Sequence, residues 1–179
     1  MKVDYFIYIG NAYPHKNLSR LIDAVIRINY GQTVVLKIVS ARSIFVERLE
    51  KEINKKNASK LIEILGFVTD KELENLYKNS IAFVFPTLSE GFGLPPMEAI
   101  KAGTLVVQSD IPVLKEIYED SVFYFNPLNV DSIADVLLKV ANIKEDERKT
   151  NISKAQQFVK RYSWLKMAKE TLKVYESVK

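Results

Sequence analysis

The sequence predicts an α/β fold: a single Rossmann-like domain with a six-stranded, mainly parallel sheet and helices on both faces. Three observations carry this. Short apolar runs rich in β-branched and aromatic residues alternate with stretches of helical periodicity, which is the pattern of βαβ units. No repeat, low-complexity tract or linker interrupts the alternation, so the 179 residues read as one domain, long enough to bury a sizeable core. The fourth apolar run leads through a glycine-rich turn and a double proline into a helix. That order builds an anion site beyond the C-terminal end of a parallel strand.

Residues 5–10 (Y-F-I-Y-I-G) are short, apolar and β-prone, so they predict a buried strand. A turn follows around Pro14. From Asn17, read as an N-cap, apolar residues fall at Leu18, Leu21, Ile22, Val25 and Ile28, which is helical spacing, with Gly31 as the stop. Residues 33–40 predict the second strand, 43–56 a charged amphipathic helix and 62–65 the third strand. Thr69 and Glu72 form a capping box that opens a helix with Leu73, Leu76 and Tyr77 on one face. Residues 81–85 are the fourth strand. The next helix starts at Pro95 or Pro96 and ends near Gly103. Strands at 105–108 and 122–125 flank a short helix at 112–118, and helices follow at 131–142, 145–162 and 163–178.

Composition narrows the function classes. The chain has no cysteine, which excludes disulfides and thiolate metal sites and fits a reducing compartment. No apolar run is long enough to span a bilayer. The formal charge of +4 is carried largely by lysines scattered over polar helix faces, so no nucleic-acid partner is expected. Residues 1–4 run straight into a strand, so the start reads as that of a cut domain.

The chemistry concentrates at residues 89–98 (S-E-G-F-G-L-P-P-M-E), where seven residues separate Glu90 from Glu98. Gly91 and Gly93 permit backbone dihedrals that let the chain wrap a ligand. The N–H groups of Phe92, Gly93 and Leu94 then become donors to anionic or sugar oxygens. Pro95 and Pro96 start the helix but have no N–H, so phosphate charge must be met partly by a side chain. Lys16 is the candidate, because its loop faces residues 86–96 if the first strand neighbours the fourth. A carboxylate on each flank of an anion site points to a ligand carrying both phosphate and hydroxyl groups, such as a nucleotide sugar.

With these residues in place, the chain resembles the C-terminal, donor-binding domain of GT-B glycosyltransferases, most closely the retaining family 4 enzymes (glycosyl transferases group 1). The likeness covers essentially the whole chain. It rests on residues 8–24 (Y-I-G-N-A-Y-P-H-K-N-L-S-R-L-I-D-A), 66–77 (G-F-V-T-D-K-E-L-E-N-L-Y) and 89–99 (S-E-G-F-G-L-P-P-M-E-A), the last similar to the family's glutamate-seven-glutamate motif. Tyr162, Ser163 and Trp164 before the final helix are similar to the family's closing helix.

The resemblance implies roles. Glu90 orients the donor sugar through its hydroxyls and, with Lys16, forms the catalytic set. Glu98 holds the ribose hydroxyls. Lys16 meets the diphosphate, and the base lies near Ser40, Ala41 and the turn Phe67, Val68 and Thr69, where Phe67 and Val68 read as core or rim residues. Two positions depart from the family pattern. Asn11 stands where an arginine is frequent, which weakens the phosphate clamp, with Arg20 as a possible substitute. Ser40 stands where glycine is frequent. The lone His15 reads as an exposed turn residue. With one histidine, and Asp70 and Asp110 not spaced as a pair, no metal or other cofactor is expected.

The implied function is transfer of a hexose from a nucleoside diphosphate sugar to the hydroxyl of an acceptor glycan or lipid-linked glycan. The P-H-K-N segment resembles those of mannosyltransferases, which makes GDP-mannose one donor to consider. The acceptor half would be an N-terminal GT-B domain, in the same or a partner chain, and this domain alone is expected to transfer nothing. The expected location is the cytoplasm, with the full-length protein peripheral at the inner membrane face. The alternative is a noncatalytic nucleotide-sugar-binding module, which Asn11 favours.

Overall fold

The computed structural model describes residues 4–29 and 34–178. Six strands, β1 (Tyr5–Ile9), β2 (Val35–Val39), β3 (Ile62–Leu65), β4 (Phe83–Phe85), β5 (Val106–Ser109) and β6 (Phe123–Phe125), form one sheet in the order β3-β2-β1-β4-β5-β6. Every pairing is parallel, with Ile7 of β1 opposite Lys37 on one side and Phe83 on the other. The strands are connected or followed by α1 (Leu18–Ile28), α2 (Ile44–Lys55), α3 (Asp70–Lys78), α4 (Leu94–Lys101), α5 (Pro112–Tyr118), α6 (Val130–Ala141), α7 (Glu145–Val159) and α8 (Trp164–Ser177).

Each element follows from local chemistry. The predicted stripe of α1 is buried at all five positions, against the sheet and α6. Its expected stop, Gly31, and the expected first strand residue, Thr33, lie outside the described residues. Ser43 caps α2, and Thr69 with Glu72 completes the capping box of α3. Strand β4 is shorter than residues 81–85 suggest. The carbonyls of Ser80 and Ile81 accept from the Arg148 guanidinium at 2.9 and 2.6 Å, so a side chain takes acceptors that a ladder would otherwise use. The core is made by β-strand residues covered on both faces, with Phe6, Ile7, Tyr8, Leu36, Ile38, Phe83 and Phe85 buried.

The helix expected over 145–162 ends three residues early, at Val159, and α8 begins from its expected Ser163 cap. No residue of α8 is buried, and it exposes Trp164, Leu165, Met167, Leu172, Val174 and Tyr175. Its apolar side therefore has no cover among the described residues. Strand order reverses between β1 and β4, so the loops following these two strands open at the same edge of the sheet.

Candidate functional site

The two central loops are hydrogen-bonded to each other. The Leu88 N–H donates to the His15 carbonyl at 2.8 Å, and the Thr87 hydroxyl reaches the same carbonyl at 3.3 Å and that of Ser89 at 3.0 Å. Asn17 completes the junction. It lies at the N-terminus of α1 as expected, but in a left-handed conformation with φ 58°, and its side chain caps no helix N–H. Its amide instead donates to the carbonyls of Pro86 (3.0 Å) and Pro127 (2.8 Å), while its side-chain oxygen accepts from Arg20 at 2.9 Å. The left-handed backbone turns the amide inward, so Asn17 joins three segments. Arg20, the possible stand-in for the family arginine, is bound in this junction.

Above the junction, Lys16 and Glu90 form an ion pair across the two loops. Their side chains are only 13% and 16% exposed, and the Lys16 ammonium lies 5.5 Å from the centre of the Phe85 ring at the end of β4. Lys16 ends a single 3-10 turn, Pro14–Lys16, that reaches the carbonyl of Tyr13. Tyr8 sits beneath. Its hydroxyl donates to the Asn11 carbonyl at 2.7 Å, and its phenol is driven well above the ordinary tyrosine value, first by burial and then by the Glu90 charge. Gly10, at φ 143°, passes so close that a Cβ would lie 3.0 Å from the Tyr8 oxygen.

The N-terminus of α4 forms the other wall. Helix α4 begins at Leu94, one residue before the earliest expected start, because Gly93 takes the N-cap position at φ 82°. A Cβ there would lie 2.8 Å from Leu114 Cδ2, so only glycine fits. Glu98 consequently belongs to the second turn, not the first, and the helix dipole acts on it less than the sequence suggests. The prolines occupy the second and third helical positions. The N–H groups of Phe92, Gly93 and Leu94 have no intramolecular acceptor among the described residues. The Tyr118 hydroxyl donates to the Gly93 carbonyl. Burial raises the Tyr118 phenol strongly, against a lowering hydrogen bond from the Met97 N–H.

The expected site residues do not all converge. Lys16, Glu90 and the start of α4 flank one edge of the sheet. Glu98 is exposed and lines a groove of about 630 Å³ with Phe92, Leu94, Met97 and Trp164 and Met167 of α8, whose walls include neither Lys16 nor Glu90. Phe92 packs edge-on against Tyr162, with ring centres 5.6 Å apart. Gly91 is open: a Cβ added there would meet nothing within 4 Å.

Asn11 is exposed, and its side-chain oxygen accepts only a long 3.4 Å bond from the Tyr13 N–H. His15 is exposed, as expected. Ser40 is buried at the end of β2, its N–H bound to the Leu65 carbonyl, and Val68 is half-buried. Phe67 is 91% exposed, so it is no core residue: it projects from the turn after β3 into solvent. Among the described residues, no group of three or more His, Asp or Glu side chains is placed to hold a metal ion, and no helix is long and apolar enough to cross a membrane. Sequence reasoning missed Tyr118 and Tyr8, whose apolar neighbours read only as strand and helix.

Residues 1–178 match the family described as glycosyl transferases group 1. The chain belongs to that family. It is 30% identical to the O-antigen chain mannosyltransferase RfbU of Salmonella typhimurium, over 91% of this chain and 44% of that protein. It is 29% identical to O-antigen chain mannosyltransferase B of Escherichia coli, over 96% of this chain and 45% of that one. The chain thus spans a little under half the length of these curated relatives. A glycosyltransferase of Rickettsia africae superimposes with a TM-score of 0.89 at 20% identity, covering 99% of this chain and 48% of that one. Sucrose-phosphate synthase of Thermosynechococcus elongatus does so at 0.85 and 21%, covering 99% and 46%. What these two structures share with this family member is the fold, the α/β Rossmann-like domain of GT-B glycosyltransferases.

Proposed function

We propose that this chain is the donor-binding domain of a retaining glycosyltransferase that moves a hexose from a nucleoside diphosphate sugar to an acceptor hydroxyl. The observation that carries the reading is the meeting of Lys16 and Glu90 at the sheet edge beside the free N–H groups of α4. A cation with backbone donors suits a diphosphate, and a carboxylate suits the hydroxyls of the attached sugar. The relatives named as mannosyltransferases make GDP-mannose the first donor to test.

Glu90 accepts hydrogen bonds from sugar hydroxyls and orients the ring. Lys16 and the N–H groups of Phe92, Gly93 and Leu94 stabilise the negative charge that grows on the diphosphate as the bond to the sugar breaks. The acceptor hydroxyl attacks from the face the diphosphate leaves, which retains configuration. Glu98 takes the ribose hydroxyls from its exposed place on α4, and the base lies over the ends of β2 and β3, near Ser40 and Val68. The acceptor, a glycan or lipid-linked glycan, is held by a second, N-terminal domain in the same or a partner chain. The uncovered apolar side of α8 is consistent with such a neighbour. The proposed location is the cytoplasm, with the complete enzyme at the inner membrane face.

Calorimetric titration of the chain with UDP, GDP, their nucleosides and their hexose conjugates tests the reading. One diphosphate should bind, Lys16→Ala should weaken it far more than the nucleoside, and the difference should shrink at high salt as the attraction is screened over about 8–10 Å. Binding of no nucleotide refutes the assignment. Multiple-turnover transfer by this chain alone refutes the half-site.

A further inference from the structure

The N-terminus of α4 lacks an ordinary cap. Gly93 holds the N-cap position and has no side chain to accept a helix N–H. The next two donors that a cap would satisfy are absent, because Pro95 and Pro96 have none. The first intrahelical donor is the Met97 N–H. The hydroxyl of Tyr118, from the far end of α5, lies at this point and donates to the Gly93 carbonyl. Its ring is fully buried and, with Leu114, fills the space that Gly93 leaves empty.

Tyr118 is itself held with effort. The next residue, Glu119, adopts φ 43° and ψ −127°, a conformation costly for any residue with a side chain. It is fixed by the Arg161 guanidinium at 2.7 Å, and the carbonyl of Ile117 is taken by the Tyr162 hydroxyl at 2.9 Å. Tyr162 also packs against Phe92. The corner at residues 117–119 is thus braced from the segment after α7; Tyr118 touches the donor loop at Gly93, and the brace Tyr162 touches it at Phe92.

We infer that Tyr118 is a positioning residue for the donor: its hydroxyl holds the Gly93 carbonyl and so sets the direction of the free N–H groups of Phe92, Gly93 and Leu94. The inference rests on the proposed diphosphate site. A strained corner that delivers one buried hydroxyl to the one carbonyl of a glycine N-cap has no comparable return in core packing, where a phenylalanine would fill the same volume.

The test compares wild type and Tyr118→Phe against UDP and GDP, the matching monophosphates and the nucleosides, with melting curves alongside. The expected result is a loss of about tenfold in diphosphate affinity, of the order set by hydrogen bonds to a charged ligand. Nucleoside affinity should change less than about twofold, the range expected of sites that do not share partners. Equal losses for all three ligand classes, or unchanged affinity with a lowered melting temperature, would show a structural tyrosine and overturn the inference. If wild type binds neither diphosphate, the proposed function falls and this inference with it. If wild type binds and Tyr118→Phe binds equally, only the inference falls. A second measurement does not depend on the variant folding. The tyrosine Cζ resonance of Tyr118 in labelled wild type should shift on adding UDP or GDP and stay in place with nucleoside. A resonance that ignores the diphosphate counts against the role.

Discussion

Glu90→Gln should tighten binding of the bare nucleoside diphosphate. Lys16 is neutralised by Glu90, so an incoming diphosphate must draw the lysine from a carboxylate that also repels the ligand. Exposed ion pairs contribute about 0.2–1 kcal/mol. Breaking a buried one by removing a partner costs about 3–5 kcal/mol. With 13% and 16% of the side chains exposed, this pair falls between those limits, so we take about 1–2 kcal/mol for it. At about 1.4 kcal/mol per factor of ten, diphosphate affinity should rise about five- to thirtyfold. The free variant should melt lower, because its half-buried Lys16 has lost its counter-ion. For the sugar conjugate, the gain is offset by loss of hydrogen bonds from sugar hydroxyls to a charged acceptor, about 1.5–3 kcal/mol. GDP-mannose affinity should therefore stay level or fall while GDP affinity rises. Calorimetry of both variants with GDP, GDP-mannose, UDP and UDP-glucose at low and physiological salt reads all of this. If Glu90→Gln weakens the bare diphosphate as Lys16→Ala does, Glu90 holds the lysine in place for the ligand, and the competition described here does not exist.

Two further substitutions test the frame of the site. Asn17→Ala strips the donors from two carbonyls at a buried junction and leaves a side chain in the left-handed region; denaturant unfolding should show a loss of about 2–4 kcal/mol, and a loss under about 1 kcal/mol would mean water replaces the amide. Gly93→Ala should cost at least about 1 kcal/mol and abolish diphosphate binding, since its Cβ meets Leu114 at 2.8 Å. Gly91→Ala, in open space, should change stability by less than about 0.5 kcal/mol, and equal effects of the two would mean the loop adjusts as a whole.

The alternation of strand and helix was readable because the central strands β1, β4 and β5 are buried on both faces and each early helix carries a single apolar stripe. Strand bounds of β3 and the whole of α5 coincide with the expectation. The start of α4 was misread because a proline pair is the stronger local signal, while the cap is a glycine whose left-handed backbone is fixed by Leu114, 21 positions along the chain. Asn17 was misread for a related reason. Its type suits a cap, but its partners, Pro86 and Pro127, come from distant segments. The meeting of the two loops followed from strand order alone. That Lys16 and Glu90 touch did not, because the sequence assigned them to different parts of one ligand and carries no signal for a pairing between them. Tyr118 was illegible: in sequence it is one more apolar residue ending a short helix.

The charge balance of the crevice gives the pairing a consequence for turnover. The prolines take two N–H groups from the anion site, Asn11 adds no charge, and Arg20 is tied to Asn17, so Lys16 is the cation of the two central loops with a ligand-exchangeable partner. On the proposed assignment, an intact sugar nucleotide engages both members of the pair: sugar hydroxyls satisfy Glu90 while the diphosphate takes Lys16. Once the sugar has gone to the acceptor, Glu90 has no hydroxyl to bind and faces a more negative diphosphate. Re-forming the ion pair then favours departure of the product. The same two side chains thus hold the donor more firmly than the spent nucleotide, which a site built from cations alone would not do, since it would grip the more highly charged product harder.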